Sequence, residues 1–256
     1  MSGSVRFDRA ASFYDRTRAI SPQAQARLVE LLSQELSGRG PCLEIGVGTG
    51  RIALPLHRAG IEMIGVDVSG PMLEQLARNA GGDRPFPLAV ADAERLPLRD
   101  QSVGAASAFH VLHLIPNWRS VVDELVRVVR PGGTVLIDPG GVHDEPDELE
   151  RVFREAAGIV DRNIGLKRIA DLDEAFADAG ASVRELEPVV DPRTTTANRR
   201  MDAWEQNIFS FTWRLTDEVR MQAVEAARAW AREHLDDPDE VVERPWVIRV
   251  RAYRLP

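Results

Sequence analysis

The segment Glu44-Ile-Gly-Val-Gly-Thr-Gly50 places glycines at 46, 48 and 50, where a short apolar run ends. Glycines at such a turn allow tight backbone angles and let a ligand approach main-chain N–H groups closely. The same pattern also serves as a plain structural turn after a strand, and it is similar to dinucleotide-binding fingerprints. Asp67 ends the next apolar run, 17 residues beyond Gly50. A carboxylate at that place reaches the two hydroxyls of a ribose. Its alternative use is as a turn or helix N-terminal acid, although Ser69 can fill the cap role instead. Asp92 ends a third run and can accept a hydrogen bond from an exocyclic amine, or can be a solvated loop acid. His110 and His113 follow a fourth run, and His143 follows a fifth. An imidazole titrates near neutrality, so each of the three is a candidate to take a proton from an acceptor hydroxyl. For His113 the plain alternative is packing under the next turn.

These residues must be positioned by alternating elements. CLEIG, IEMIGVD, FPLAVAD, SVGAASAFHVLHL and TVLID are apolar strand runs. Between them, IALPLHRAG, GPMLEQLARNAG and NWRSVVDELVRVVRPGG carry helical periodicity and stop at glycine or proline. Strands alternating with helices predict a parallel sheet covered on both faces, which is why the runs are continuous rather than alternating. The glycine turn, Asp67, Asp92 and His110 then all fall on the carboxyl edge, where open α/β folds bind ligands. After Asp138 the rhythm changes. DELERVFREAAGIV and ADLDEAFADAG read as helices, and ASVRELEPVV and PWVIRVRAYRL as a closing antiparallel pair. Residues 193–237 form a helical insertion rich in Trp and Phe, including Trp204, Phe211 and Trp213. Its aromatics either glue helices together or shape a lid over an apolar acceptor pocket. Arg199, Arg200 and Arg214 are candidates to meet an anionic acceptor. The organisation expected is one domain over 1–256, with a helical segment at 1–38 and a binding core at 40–138.

Composition sets the limits. The chain has 256 residues, 44% of them hydrophobic and 28% charged, as in a globular protein with a sizeable core. A net charge of −8 disfavours a nucleic-acid partner. Cys42 is the only cysteine, so an intrachain disulfide and a cysteine-rich metal site are excluded. Within a strand run it reads as a small buried thiol. Lys167 is the only lysine, which excludes most Schiff-base and P-loop chemistry. No metal is expected. The first 30 residues lack the apolar run of a signal peptide, and no stretch is long enough for a membrane span, so a cytoplasmic protein is expected.

LEIGVGTGRIALPL, GVDVSGPMLEQLARN, ADAERLPLRDQSV, AFHVLHL and LVRVVRPGGTVLI stand in the order and spacing of the motifs of class I S-adenosylmethionine-dependent methyltransferases. The sequence resembles the small-molecule branch, type 11, over residues 40–138, and FDRAASFYDRTR resembles that branch's leading segment. The resemblance implies an α/β fold: a Rossmann-like, doubly wound, mostly parallel seven-stranded sheet. It implies S-adenosyl-L-methionine as cofactor and methyl transfer to the O, C or N atom of a small-molecule acceptor. Gly46, Gly48 and Gly50 would lie against the methionine part and ribose, and Glu44 would help place the amino group. Asp67 would bind the ribose, while Val68 and Met72 would pack on the adenine face. Asp92 and the N–H of Ala93 would read the adenine edge. Phe109 and His110 would border the sulfonium and the acceptor, and Tyr14 and Arg18 would close over the cofactor carboxylate. The alternatives are an RNA or protein methyltransferase, or a non-catalytic protein that binds the cofactor. A homodimer is compatible with these residues. Arg51 stands where a nicotinamide fingerprint needs its third glycine or an alanine. Ala-Phe-His-Val stands where adenine and glutamine N-methyltransferases carry an Asn- or Asp-Pro-Pro-Tyr motif.

Overall fold

The computed structural model describes residues 5, 7–11, 13–140, 142, 146–161 and 163–256. Two compact units are present. The first comprises 1–142, 164–191 and 247–256, and the second 143–163 and 192–246.

The first unit is built on a seven-stranded sheet. In chain order its strands are β1 (Cys42–Ile45), β2 (Met63–Asp67), β3 (Leu88–Val90), β4 (Val103–Phe109), β5 (Val129–Asp138), β6 (Ser182–Glu185) and β7 (Arg251–Arg254). The spatial order is β3-β2-β1-β4-β5-β7-β6. Strands β1 to β5 are parallel, with Cys42 beside Met63 on one side and Ala105 on the other. β7 runs antiparallel to both β5 and β6, with Ala252 opposite Leu136 and Arg184. The seven-stranded, mostly parallel sheet and its closing antiparallel pair are those expected.

The chain leaves β1 toward one edge of the sheet and returns to β4 on the other side. A crevice therefore opens between the two connections, at the carboxyl ends of β1 and β4. Every residue of β1 and β4 is buried, as central strands covered on both faces must be. The helices supply that cover. In α5 (Trp118–Val128), Val121, Val122, Leu125 and Val128 are buried along one stripe. The helix gives way directly to β5 at Val129, so Pro131 falls in the strand, at a register irregularity opposite Val103–Ala105. Phe176 of α7 (Ile169–Asp178) stacks on Tyr253 of β7 at 4.0 Å. Cys42 is fully buried, and burial pushes its thiol up to about 12, which makes it an inert core residue.

The leading segment holds α1 (Tyr14–Arg18) and α2 (Pro22–Leu36), the latter capped by Ser21. α3 (Ala53–Arg58) and α4 (Gly70–Asn79) follow β1 and β2.

The second unit gathers α6 (Glu148–Ala156), α8 (Ala197–Glu205) and α9 (Asp217–His234). Residues 193–237 lie within it, joined by α6 from earlier in the chain. Phe153 stacks on Trp204 at 4.6 Å and meets Phe211 edge-on at 6.2 Å. Trp204 and Phe211 are therefore core residues of this unit, and the Trp213 indole donates to Asn207 O at 2.9 Å. Arg200 is engaged by both carboxylate oxygens of Asp147, and Arg214 donates to the Asp161 carbonyl. Burial opposes the charge on Asp147, yet Arg200, the Glu150 N–H and Arg244 hold its carboxyl well below the usual range.

Among the described residues no helix is long and apolar enough to cross a membrane. Among the same residues no group of three His, Cys, Asp or Glu side chains is placed to hold a metal ion.

Candidate cofactor and acceptor site

One pocket in the first unit gathers most of the singled-out residues. Gly46 and Gly48 line it from the turn after β1. Val66, Asp67, Val68 and Met72 line it from β2 and the start of α4, and Ala91, Asp92 and Ala93 from the loop after β3. Phe109, His110, Val111, Leu114 and Ile115 close the β4 side, and Val5, Phe7 and Tyr14 come from the leading segment.

The glycine turn is shaped by backbone need. Gly46 has φ +60°, and a Cβ there would stand 2.4 Å from Val111 Cγ2. Only glycine combines that backbone with that contact.

Asp67 is the clasp of this half of the pocket. Its Oδ2 accepts the Gly48 N–H at 2.9 Å, and its Oδ1 accepts the Ser69 N–H at 2.8 Å. Ser69 itself caps α4 through Met72 N. Asp67 is therefore both a turn residue and a pocket residue, which joins the two uses open to it on sequence grounds. Burial pushes its carboxyl up, against the Ser69 and Gly48 donors that favour the charged form. Each carboxylate oxygen has a second lone-pair direction for a ligand hydroxyl. Asp92 lies two residues beyond β3, and its Oδ1 accepts the Glu94 N–H at 3.0 Å.

Glu44 lies in β1, outside the pocket lining, and is 2% exposed. Its Oε2 has no hydrogen-bond partner among the described residues. Burial pushes the carboxyl up to about 8, with Arg51 opposing and Asp67 adding to the rise. A buried carboxylate oxygen without a donor is costly and calls for one.

At the β4 side the backbone is strained. His110, the residue after β4, has φ +57°, a rare conformation for a non-glycine residue. His110 Nε2 stands 3.0 Å from Asp138 Oδ2 at the end of β5, and the two backbones join through His110 N–H to Asp138 O. Burial alone would raise the Asp138 carboxyl, but His110, the Gly140 N–H and Arg51 together hold it low. The His113 ring lies edge-on to His110 at 6.3 Å, and its carbonyl accepts the Gly165 N–H. It is outside the pocket lining. His143 lies outside the described residues.

Two further residues sit elsewhere. Gly50 packs against Leu54 and Leu76 rather than lining the pocket. Arg18 donates to its neighbour's carbonyl, and its own carbonyl accepts from Arg51. Tyr14 reaches the pocket and meets Phe7 edge-on at 5.7 Å.

Asp138 and Asp15 went unnoticed in the sequence. Asp15 accepts from Thr49 Oγ1 at 2.5 Å and from Asn79 Nδ2 at 2.8 Å, which pins α1 to the glycine turn. Asp138 had a signal, since it ends a strand run just as Asp67 and Asp92 do. Phe7 had the signal of the leading segment FDRAASFYDRTR, which it opens, while Val5 had none.

Comparison with known proteins agrees with this geometry. Residues 43–137 match the model of the methyltransferase domain family, type 11. A demethylmenaquinone methyltransferase of Clavibacter sepedonicus is 31% identical over 52% of this chain and 56% of its own. A malonyl-[acyl-carrier protein] O-methyltransferase of Xylella fastidiosa is 30% identical over 60% of this chain and 52% of its own. The chain spans about half the length of these curated relatives. In fold, it superposes on Haemonchus contortus phosphoethanolamine N-methyltransferase 2, which was solved with S-adenosylhomocysteine. The TM-score is 0.59 at 20% identity, covering 97% of this chain and 57% of that one. Family model, sheet order and pocket agree: residues 43–137 form the core of a class I S-adenosylmethionine-dependent methyltransferase domain of the type 11 branch.

Proposed function

We propose that the chain binds S-adenosyl-L-methionine in this pocket and transfers its methyl group to a small-molecule acceptor. The observation that carries the proposal is the convergence of Gly46, Gly48, Asp67, Asp92 and His110 on one cavity at the carboxyl edge. The residues suit the cofactor. Asp67 would receive the ribose hydroxyls, Val68 and Met72 the adenine face, and Asp92 with the Ala93 N–H the adenine edge. The partnerless buried oxygen of Glu44 suits the cofactor's ammonium, directly or through water. Tyr14 would border the methionine end.

When bound, the cofactor supplies a methyl group already activated on a sulfonium. What the protein then contributes is chiefly alignment, for which effective concentration can supply up to roughly 7–11 kcal/mol. Phe109 excludes water beside the reacting carbon. His110, at the pocket wall, would take a proton if the acceptor must lose one. The relatives are named for methyl transfer to demethylmenaquinone and to malonyl-[acyl-carrier protein]. Both lie outside nucleic-acid chemistry and favour a small acceptor here.

The test is a calorimetric titration of the full chain with S-adenosyl-L-methionine, followed by an acceptor screen with methyl-labelled cofactor. Saturable binding with label transfer supports the reading. Binding without transfer to any acceptor moves the chain to the non-catalytic alternative.

A further inference from the structure

We propose that the first unit carries a second ligand site, at the amino edge of its sheet, which binds the phosphate group of a small phosphorylated molecule. The site is a cavity of about 340 Å³ lined by one face of the sheet and by the end of α2. That volume is at the lower end of the roughly 300–1,000 Å³ of small-molecule sites. The register of three neighbouring strands builds it. Arg254 of β7 stands opposite Thr134 of β5 and Ser182 of β6, and Ala252 stands opposite Arg184. Residues two apart on a strand share a face, so these five side chains share one. Thr134, Ser182 and Ala252 are short, which leaves depth between the two guanidinium groups. From Thr134, β5 runs on to Asp138 at the carboxyl edge, roughly 13 Å away at about 3.3 Å per residue. The cavity and the cofactor pocket therefore lie on opposite edges of one sheet.

The chemistry of the lining selects the ligand. Among its described residues are three arginines, Arg39, Arg184 and Arg254, and one acid, Glu35. Glu35 forms an ion pair with Arg184. Two positive charges are thus in excess, which matches a phosphate monoester of about −1.5 to −2 at pH 7. Arg39 follows α2 and donates from Nε to the Glu35 carbonyl, so it also offsets the negative end of that helix. Arg130 brings a fourth guanidinium close by, donating to the Arg39 carbonyl at 3.4 Å. Burial pulls the Arg39 guanidinium below its usual range, Arg254 and Arg184 add to the fall, and Glu35 opposes it. Like charges gathered in one cavity attract an anion that relieves their repulsion. Guanidinium forks hold phosphate oxygens in pairs. The hydroxyls of Thr134 and Ser182 line the same cavity and add donors for a further oxygen. A tetrahedral phosphate has that oxygen and a flat carboxylate lacks it.

The test is a calorimetric titration of the full chain at low ionic strength with inorganic phosphate and with phenyl phosphate, and with acetate for comparison. We expect saturable one-site binding of both phosphates, with acetate weaker by about tenfold or more. Arg254→Gln removes a charge at an exposed position and keeps an amide donor. It should weaken phosphate binding by about tenfold or more and leave S-adenosyl-L-methionine binding unchanged. A folded Arg39→Gln should do the same. A wild type without saturable phosphate binding overturns the site. Phosphate binding unchanged in both variants overturns its location. Acetate bound as tightly as phosphate overturns the ligand class. Phosphate that competes with S-adenosyl-L-methionine sits in the cofactor pocket and overturns a second site. A wild type that binds no S-adenosyl-L-methionine overturns the methyl-transfer reading instead, while the phosphate titrations of wild type and variants still decide this one.

Discussion

The carboxyl edge of the sheet carries two acids held in opposite ways. At the end of β2, Asp67 is clasped by two main-chain N–H groups, from Gly48 and Ser69. At the end of β5, Asp138 faces an ionisable side chain, His110. Both end a strand, Asp138 buried and Asp67 half-buried. The difference lies in what they can do. Backbone donors fix Asp67 in place and leave lone pairs for ligand hydroxyls, which under the proposed function would make that half the binding side. The His110–Asp138 half places an imidazole at the pocket wall, which under the proposed function would take the acceptor's proton. The proposed function thereby assigns affinity to one side of the sheet edge and turnover to the other.

That separation can be broken by experiment. The largest effect is expected on the β4 side. His110→Ala should lower turnover by about 10²–10⁴-fold if the acceptor must lose a proton, with calorimetric cofactor affinity little changed. Parallel losses of turnover and affinity would mean that the two sides are not separate. Next, Asp67→Ala should weaken cofactor binding by about 1–3 kcal/mol through lost hydrogen bonds. Its remaining turnover at saturating cofactor should stay close to wild type.

A third effect concerns pH. The Glu44 carboxyl stands at about 8 in the fold against an ordinary 4.5. The native state therefore holds a proton that the unfolded chain releases, and stability without cofactor should fall as pH rises from 4.5 toward 8. Glu44→Gln should flatten that part of the thermal-unfolding profile and raise the midpoint at pH 8. The sign reverses for binding. A cofactor ammonium favours the charged carboxylate, so binding below pH 8 should release a proton. Calorimetry in buffers of different ionisation enthalpy reads that proton. The smallest effect is Ser69→Ala, which removes the α4 cap and should cost about 1 kcal/mol of stability in denaturant unfolding.

Much of the β2 side was legible in the sequence, because strand ends, glycines and acids carry their meaning locally. Gly46, Gly48, Asp67 and Asp92 are recognised by type and spacing alone. The clasp between Asp67 and Gly48 is not, since it joins groups 19 residues apart. The β4 side was half legible. His110 stood out as a histidine after a strand, but its positive φ has no residue signal, because only glycine and asparagine-like residues announce one. Asp138 needed the pairing of β4 with β5 to meet His110. The parallel sheet followed from alternation and its closing pair from period-two patterning, whereas the order of the strands had no local signal. The second unit was harder. The aromatic run at 193–237 signalled a buried cluster, but α6 joins it only through long-range packing of Phe153 on Trp204. Arg200 illustrates the same point. It looked available for an anionic acceptor, and the fold engages it with Asp147 instead.

The central claim is that the glycine turn and Asp67 form a cofactor site, and one calorimetric experiment addresses it. S-adenosyl-L-methionine is titrated into the folded wild type and into Asp67→Ala. We expect saturable one-site binding by the wild type, weaker in the variant by the amount given above. A folded wild type that gives no binding heat, or a variant that binds as tightly as the wild type, contradicts it.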